Sequence, residues 1–259
     1  MKRYLLMVLL LVSSASIVFA GSIEDELQLL LGGELEEAAT PVVDAFHSLM
    51  NQGLYHNAAS HGLPGFDIGV RAMMLQIPDD KQEGLLDTLD VSTLALPVLQ
   101  GSVGLMKGFQ LTGRFFAADL GDAGKITLFG GGARFEVNEI VDIPLVAPRV
   151  SVQYFYNHFA LGDVASSGSS SFDVIVSKKL FVIEPYAGLG YSSTTMEFDY
   201  MIETGVPIPI KVTREIEASS TRMAVGFNWI PLPLFKINAE YSLLSGYQQL
   251  SAGLIISFL

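Results

Sequence analysis

The sequence predicts an all-β protein: a closed antiparallel transmembrane β-barrel of about ten strands (range eight to twelve), with an amphipathic helix ahead of the first strand. Three observations predict it. From Gly65 onward, apolar residues recur at every second position, the period of a strand. Half of all residues are apolar, yet past the first twenty no apolar run reaches the roughly 18 residues that a spanning helix needs. Third, Gln249 to Leu259 read as one strand: Ala252, Leu254, Ile256 and Phe258 share one face, and Ser251, Gly253, Ile255 and Ser257 the other.

The chain opens on Met1-Lys2-Arg3, an apolar run from Tyr4 to Phe19, and Ala20. A basic start, an apolar middle and a small residue at the end make a secretory signal peptide, with cleavage expected after Ala20. Removing 20 of the 259 residues leaves 239, enough for one large domain. There is no cysteine, hence no disulfide framework and no thiolate metal site. Net charge is −12, or about −14 without Lys2 and Arg3, which argues against nucleic acid and anionic lipid as partners. No cofactor is expected.

Residues 21–63 form a separate acidic, helical segment. Leu27, Leu30, Leu31, Leu35, Ala38, Val42, Phe46 and Leu49 recur at steps of three and four. Ser22 followed by Glu24, Asp25 and Glu26 suits a helix start. Gly32-Gly33 and Pro41 are expected to break the helix in two. No Lys or Arg occurs from Gly21 to Pro64. The segment reads either as a plug or cap on the barrel, or as a periplasmic helix packed on its rim. A helix is ~10–12 Å across, which a narrow lumen filled by its own side chains would not admit. His56 and His61 are five apart with no carboxylate between them, so a polar turn is expected there rather than a metal site.

Residues 64–259 carry the strands. Phe66, Ile68, Val70, Ala72 and Met74 alternate with Asp67, Gly69 and Arg71. A less regular strand lies within about Val91 to Val103, weakened by Pro97. Strands follow at about Gly108 to Ala118, Ile126 to Val137, and Val150 to Asn157. Gly162 to Gly168 reads as a small-residue loop. Next come Phe172 to Ser177 and, after Lys178-Lys179, a strand from Phe181 that continues to about Tyr200. It returns from Lys211 through Ser219 in a hairpin longer than the ~9–11 residues of a membrane strand. Met223 to Trp229, Phe235 to Leu243 and the terminal strand complete ten, an even number. With the C-terminus periplasmic, connections 77–90, 161–168 and 200–212 fall outside. The short turns at 178–179 and 230–233 fall inside, with 138–149 a long exception. Even parity then places the N-terminus and its helix on the periplasmic side too.

One face of these strands holds the charges: Asp67, Arg71, Arg114, Arg134, Glu136, Arg149, Asp173, Glu184, Arg222, Lys236 and Glu240. The opposite face is apolar, with Tyr154, Tyr156, Tyr191, Trp229 and Tyr241 as girdle residues. In a barrel the charges look inward and the rings look at lipid, and closure pairs every backbone group. The eleven inward charges form either a selective pore lining or an ion-pair network that fills the lumen; barrels near eight strands are filled, and open channels have 16–18. Inward glycines (Gly69, Gly130, Gly132, Gly188, Gly190, Gly226, Gly253) leave room for long arginines or a small ligand.

The C-terminal strand, with an aromatic at Phe258, resembles the closing strand of bacterial outer-membrane β-barrels. That resemblance implies outer-membrane lipid and the outer-membrane assembly machinery as partners, and a bacterial outer-membrane location. The layout is similar to an uncharacterised family of outer-membrane barrels with a short N-terminal helix. It rests on Met50-Asn-Gln-Gly-Leu-Tyr55, Gly65-Phe-Asp-Ile-Gly69, Leu96-Pro-Val-Leu-Gln-Gly-Ser-Val-Gly104 and 240–258. More loosely it resembles FadL-type hydrophobic-compound channels, although those are longer and their plug motif is not evident. Enzymatic activity is not expected: Asn157-His-Phe-Ala160 lacks the serine two residues on that the lipid A deacylase pattern would carry. Two functions fit: a small channel or transporter gated by the N-terminal helix, or a non-conducting structural or adhesive barrel displaying the hairpin 192–219.

Overall fold

The computed structural model describes residues 33–88, 91–119, 125–141, 147–162, 164–202 and 210–258. The signal peptide and the helix start read at Ser22 lie outside them. A helix α1 (Gly33–Met50) is followed by β1 (Phe66–Gln76), β2 (Thr93–Met106), β3 (Phe109–Asp119), β4 (Lys125–Glu136) and β5 (Arg149–Leu161). Then come β6 (Ala165–Ser177), β7 (Ile183–Ile202), β8 (Ile210–Leu232), β9 (Phe235–Leu244) and β10 (Tyr247–Phe258). Each strand pairs antiparallel with its neighbours in sequence, and β1 pairs with β10, so ten strands close into a barrel. Closure runs from Phe66↔Phe258 to Gln76↔Gln248, with the two terminal phenylalanine rings stacked at 4.7 Å.

Alternation sets the two faces. On β10, Gln249, Ser251, Gly253, Ile255 and Ser257 are buried inside, while Leu250, Leu254, Ile256 and Phe258 lie exposed outside. The outer wall carries exposed Phe66, Val70, Phe115, Phe129, Tyr154, Phe172, Leu189, Val225 and Trp229. Such a continuous apolar belt around a closed sheet is what a bilayer covers. Pro97 is accommodated within β2, opposite Ala72 of β1.

Four sequence expectations are corrected. Pro41 does not split the helix, which runs unbroken from Gly33 to Met50. An interior proline costs roughly 3 kcal/mol; here burial on several sides opposes that cost, since Ala39, Val42, Val43, Phe46, Leu49 and Met50 are all buried. Residues 165–168 are strand rather than loop. Small residues have little β-propensity of their own, but pairing with β5 and β7 on both sides overrides it. Phe181 sits in the turn before β7 with a φ of 54°, almost fully exposed, rather than in the strand.

The fourth correction concerns the helix. The barrel has a lower end, where β1 starts and β10 stops, and an upper end, where the β7–β8 hairpin rises. Pro41 accepts a hydrogen bond from Tyr247 Oη at the upper start of β10, and Ala38 lies against Gly84 in the upper β1–β2 connection. At the other extreme His61 meets Asp67 near the lower start of β1. From the upper end the described chain therefore descends inside the wall as α1, continues as extended chain over 51–65, and leaves below to begin β1. The helix is neither at the C-terminal end nor on the rim. Inward side chains are small enough along the path to admit it: a Cβ on Gly188 would collide with Tyr55 Oη.

This path fixes which ends share a compartment. In a chain without native cysteine, Glu37→Cys and Phe181→Cys should be labelled by a membrane-impermeant maleimide from opposite sides of oriented vesicles. Labelling of both from one side would overturn the threaded path.

Candidate functional site: the occupied lumen

The lumen is divided by chemistry along its axis. The upper half is apolar. Met73, Leu75, Leu94, Leu96, Val98, Ile126, Leu128, Phe159, Leu161, Met196, Phe198 and Ile216 are buried in one cluster with the helix residues Val42, Val43, Phe46, Leu49 and Met50. Phe46 packs on Phe159 with ring centres 4.9 Å apart. Burying a side chain of this kind stabilises by roughly 1.5–3 kcal/mol.

The lower half is polar and holds the extended segment mainly by its main chain. Arg114 of β3 donates to the carbonyls of Met50 and Gln52, the latter at 3.0 Å. Arg71 of β1 donates to Tyr55 O at 3.1 Å. Arg134 of β4 donates to Asn57 O at 2.6 Å and to Ala59 O at 2.7 Å. Asn228 of β8 donates to His56 O, and higher up Gln249 of β10 donates to Ser48 O in the last turn of α1. In the other direction, Gly53 N–H donates to Glu240, Ala58 N–H to Ser177 and Ser60 N–H to Glu136. Arg71, Arg114, Arg134, Glu136 and Glu240 thus each meet an opposite partial charge of the peptide backbone. Hydrogen bonds to charged groups stabilise by about 1.5–3 kcal/mol each.

The remaining charges pair with one another. Arg222 reaches Asp173 at 3.3 Å and Glu240 at 2.7 Å, with its guanidinium 4.7 Å above the Tyr55 ring. Tyr186 Oη donates to Glu240, and Glu184 accepts from Asn57 and Asn228. Asp67 receives both histidines, His61 Nε2 at 2.6 Å and His56 Nε2 at 3.4 Å. The expectation of a polar turn at His56 and His61 is corrected: both are buried against the wall because the segment runs inside it.

Of the eleven charges read as inward, nine are buried in the lumen: Asp67, Arg71, Arg114, Arg134, Glu136, Asp173, Glu184, Arg222 and Glu240. Lys236 is half-buried near the lower end. Arg149 departs from the set. It stands at the lower rim with its side chain 53% exposed, reaching in to Glu136 at 3.1 Å. It is the first residue of β5, so the wall does not cover it.

Sequence reasoning missed the plug's own contacts. His47 Nδ1 lies 2.6 Å from Thr194 Oγ1, and Asn51 donates to Ser169 Oγ at 2.8 Å. Periodicity locates the wall positions but says nothing of which residue on a separate segment meets them. A partial signal was present: a stretch without any cation, 21–64, precedes strands whose inward faces carry arginines. His158, in the stretch compared with the lipid A deacylase pattern, lies on the outer face with its ring 4.9 Å from Phe129.

A family model described as a family of unknown function, DUF6588, matches residues 1–92 and 82–258. Nothing among curated proteins matches the sequence significantly. The chain is similar to the N-terminal β-barrel domain of Pseudomonas aeruginosa OprF at 12% identity and a TM-score of 0.33, covering 74% of this chain and 97% of that one. It is similar to the outer membrane protease OmpT of Escherichia coli at 9% identity and a TM-score of 0.42, covering 75% and 96%. The KdgM porin is similar at 12% identity and a TM-score of 0.36, covering 74% and 99%.

Removing one member of a buried ion cluster leaves the others uncompensated, whereas a rim pair is screened by water. Arg222→Ala should therefore lower unfolding stability in detergent by about 3–5 kcal/mol. Arg149→Ala should cost no more than ~1 kcal/mol. Urea titrations of the two variants check this; equal costs would contradict it.

Proposed function

The chain belongs to DUF6588, a family of unknown function, and from the lumen we propose that it is a small outer-membrane channel or transporter gated by its own N-terminal helix. The observation that carries this reading is the division of labour inside the barrel. The helix sits in the upper half mainly by apolar packing, with a few side-chain bonds at Pro41, His47 and Ser48, while a dense set of directional bonds holds the extended segment below it. Apolar packing is non-directional, so the helix can be displaced as a body, at the summed cost of the surface it uncovers, while the wall keeps its ladders. The wall is closed by hydrogen bonds on every side and does not need the plug for its pairing.

A second reading, a non-conducting adhesive or structural barrel that displays the hairpin 192–219, is favoured by a different observation. The β7–β8 ladder extends to Ile202↔Ile210, whereas the β6–β7 ladder stops at Ala165↔Phe198 and β8–β9 starts only at Arg222↔Leu244. A filled lumen suits that role too.

The two separate by flux. His47→Cys/Thr194→Cys creates the chain's first cysteines at a contacting pair. With these joined by a disulfide or a short bis-maleimide, planar-bilayer conductance should stay at baseline. With them reduced it should match wild type, and Arg114→Ala, which frees the helix C-terminus, should raise it. Negligible conductance in every form, Arg114→Ala included, would remove the channel.

A further inference from the structure

We infer that the outer edge of β8 above the barrel is a docking site for an extended cationic segment of another protein, taken up by strand addition. Residues 213–221 of β8 pair with β7 on one side, from Thr213↔Asp199 to Thr221↔Tyr191. On the other side β9 reaches only Leu244, opposite Arg222. Just above that point the β9–β10 turn touches β8 through a hydroxyl bond from Ser245 to Ser220. In an antiparallel ladder every second residue directs its N–H and C=O away from the partner strand. Along 213–221 those groups face a side with no strand among the described residues. An edge of this length is a template for another strand, and main-chain bonds to such an edge are a recurring way of binding extended peptides.

The side chains say what kind of segment fits. Glu215 stands directly opposite Glu197 on β7, and Glu217 follows two residues on. All three are exposed and share the outer face of the hairpin. Like charges directly opposite each other are destabilising, so this pairing has a cost within the isolated protein. A strand laid along the edge would place its own alternate side chains beside Glu215 and Glu217. Lysine or arginine there offsets the repulsion; aspartate or glutamate deepens it. Toward the interior, Ile216 and Ala218 are buried in the cluster with α1. The edge is thereby backed by the helix; Arg214, on that face above them and opposite Phe198, is exposed, and the acidic character of the edge rests on the outer Glu215 and Glu217. The inference does not depend on whether the lumen conducts.

The probe is a synthetic peptide of about ten residues, a usual strand length, alternating Lys and Thr. Its binding to the full-length protein in nanodiscs is followed by fluorescence anisotropy, and amide exchange is read over 213–221. Expected is binding that weakens with salt, slows exchange across 213–221, and falls at least about fivefold in Glu215→Gln/Glu217→Gln, as two exposed ion pairs imply. The same peptide carrying backbone N-methyl groups, and one alternating Glu and Thr, should not bind. Three results would overturn the inference. One is no binding of the Lys peptide. Another is equal binding of the N-methylated form, which would mean charge attraction without strand addition. The third is binding unchanged in the double variant with no protection over 213–221, which would place the peptide elsewhere on an acidic protein.

Discussion

A chain threaded through a closed cylinder has no sheet edge to join and little water to meet, so each of its backbone groups has to be satisfied locally. Everything about this lumen follows from how that demand is met. In the upper half the threaded chain is helical and satisfies its own amides, so the wall there is free to be apolar. In the lower half it is extended and satisfies nothing by itself, so the wall supplies donors and acceptors. Arg71, Arg114 and Arg134 face carbonyls, while Glu136 and Glu240 face amides. The change in lining from Leu and Met to Arg and Glu falls near Met50, where the helix stops and Arg114 caps its free carbonyls.

Room for the plug comes from the wall's smallest residues. Ten strands enclose more space than eight, but not enough for a helix among full-sized inward side chains. Tyr55 occupies the volume that a side chain at Gly188 would need, and Arg71 passes Gly53, whose φ of 64° also suits glycine. Ser167, Ser169 and Ser171 face inward along β6, and Ser169 bonds Asn51 directly. The glycines that looked like space for a ligand are in part filled by the protein's own chain.

How much of this was legible in the sequence depends on the range of the interaction. Two-residue alternation is local, and it gave the strand number, an irregular β2 with Pro97 inside it included, and the inward face of nine of the eleven charges, Arg149 at the rim and half-buried Lys236 excepted. The 165–171 strand was half hidden because alanine, serine and glycine carry no periodic signal of their own; tertiary pairing makes that strand. The helix was visible as a three-and-four pattern, but its place was not. Its apolar stripe fits a rim as well as a lumen. The deciding facts, Tyr247 against Pro41 and Thr194 against His47, join residues 206 and 147 positions apart. Strand parity does fix the end at which β1 begins. It says nothing about the direction from which the preceding chain arrives, and that is where the expectation of a helix at the C-terminal end failed.

The tether adds a last constraint. The extended segment runs straight into β1 through a tight turn in which Gly65 N–H bonds Gly62 O, and Gly65 O accepts from Gly104 N–H of β2. There the backbones approach so closely that a Cβ on Gly104 would strike His61 O. The lower end of the plug is thus sewn to the wall, while at the upper end β10 ties the helix backbone through two side chains, Tyr247 to the Pro41 carbonyl and Gln249 to the Ser48 carbonyl. The main-chain bonds of 51–60 lie deeper along the same path than the helix does. In the proposed gating the helix would therefore have to move first, and connectivity, rather than the strength of any one contact, would set the order.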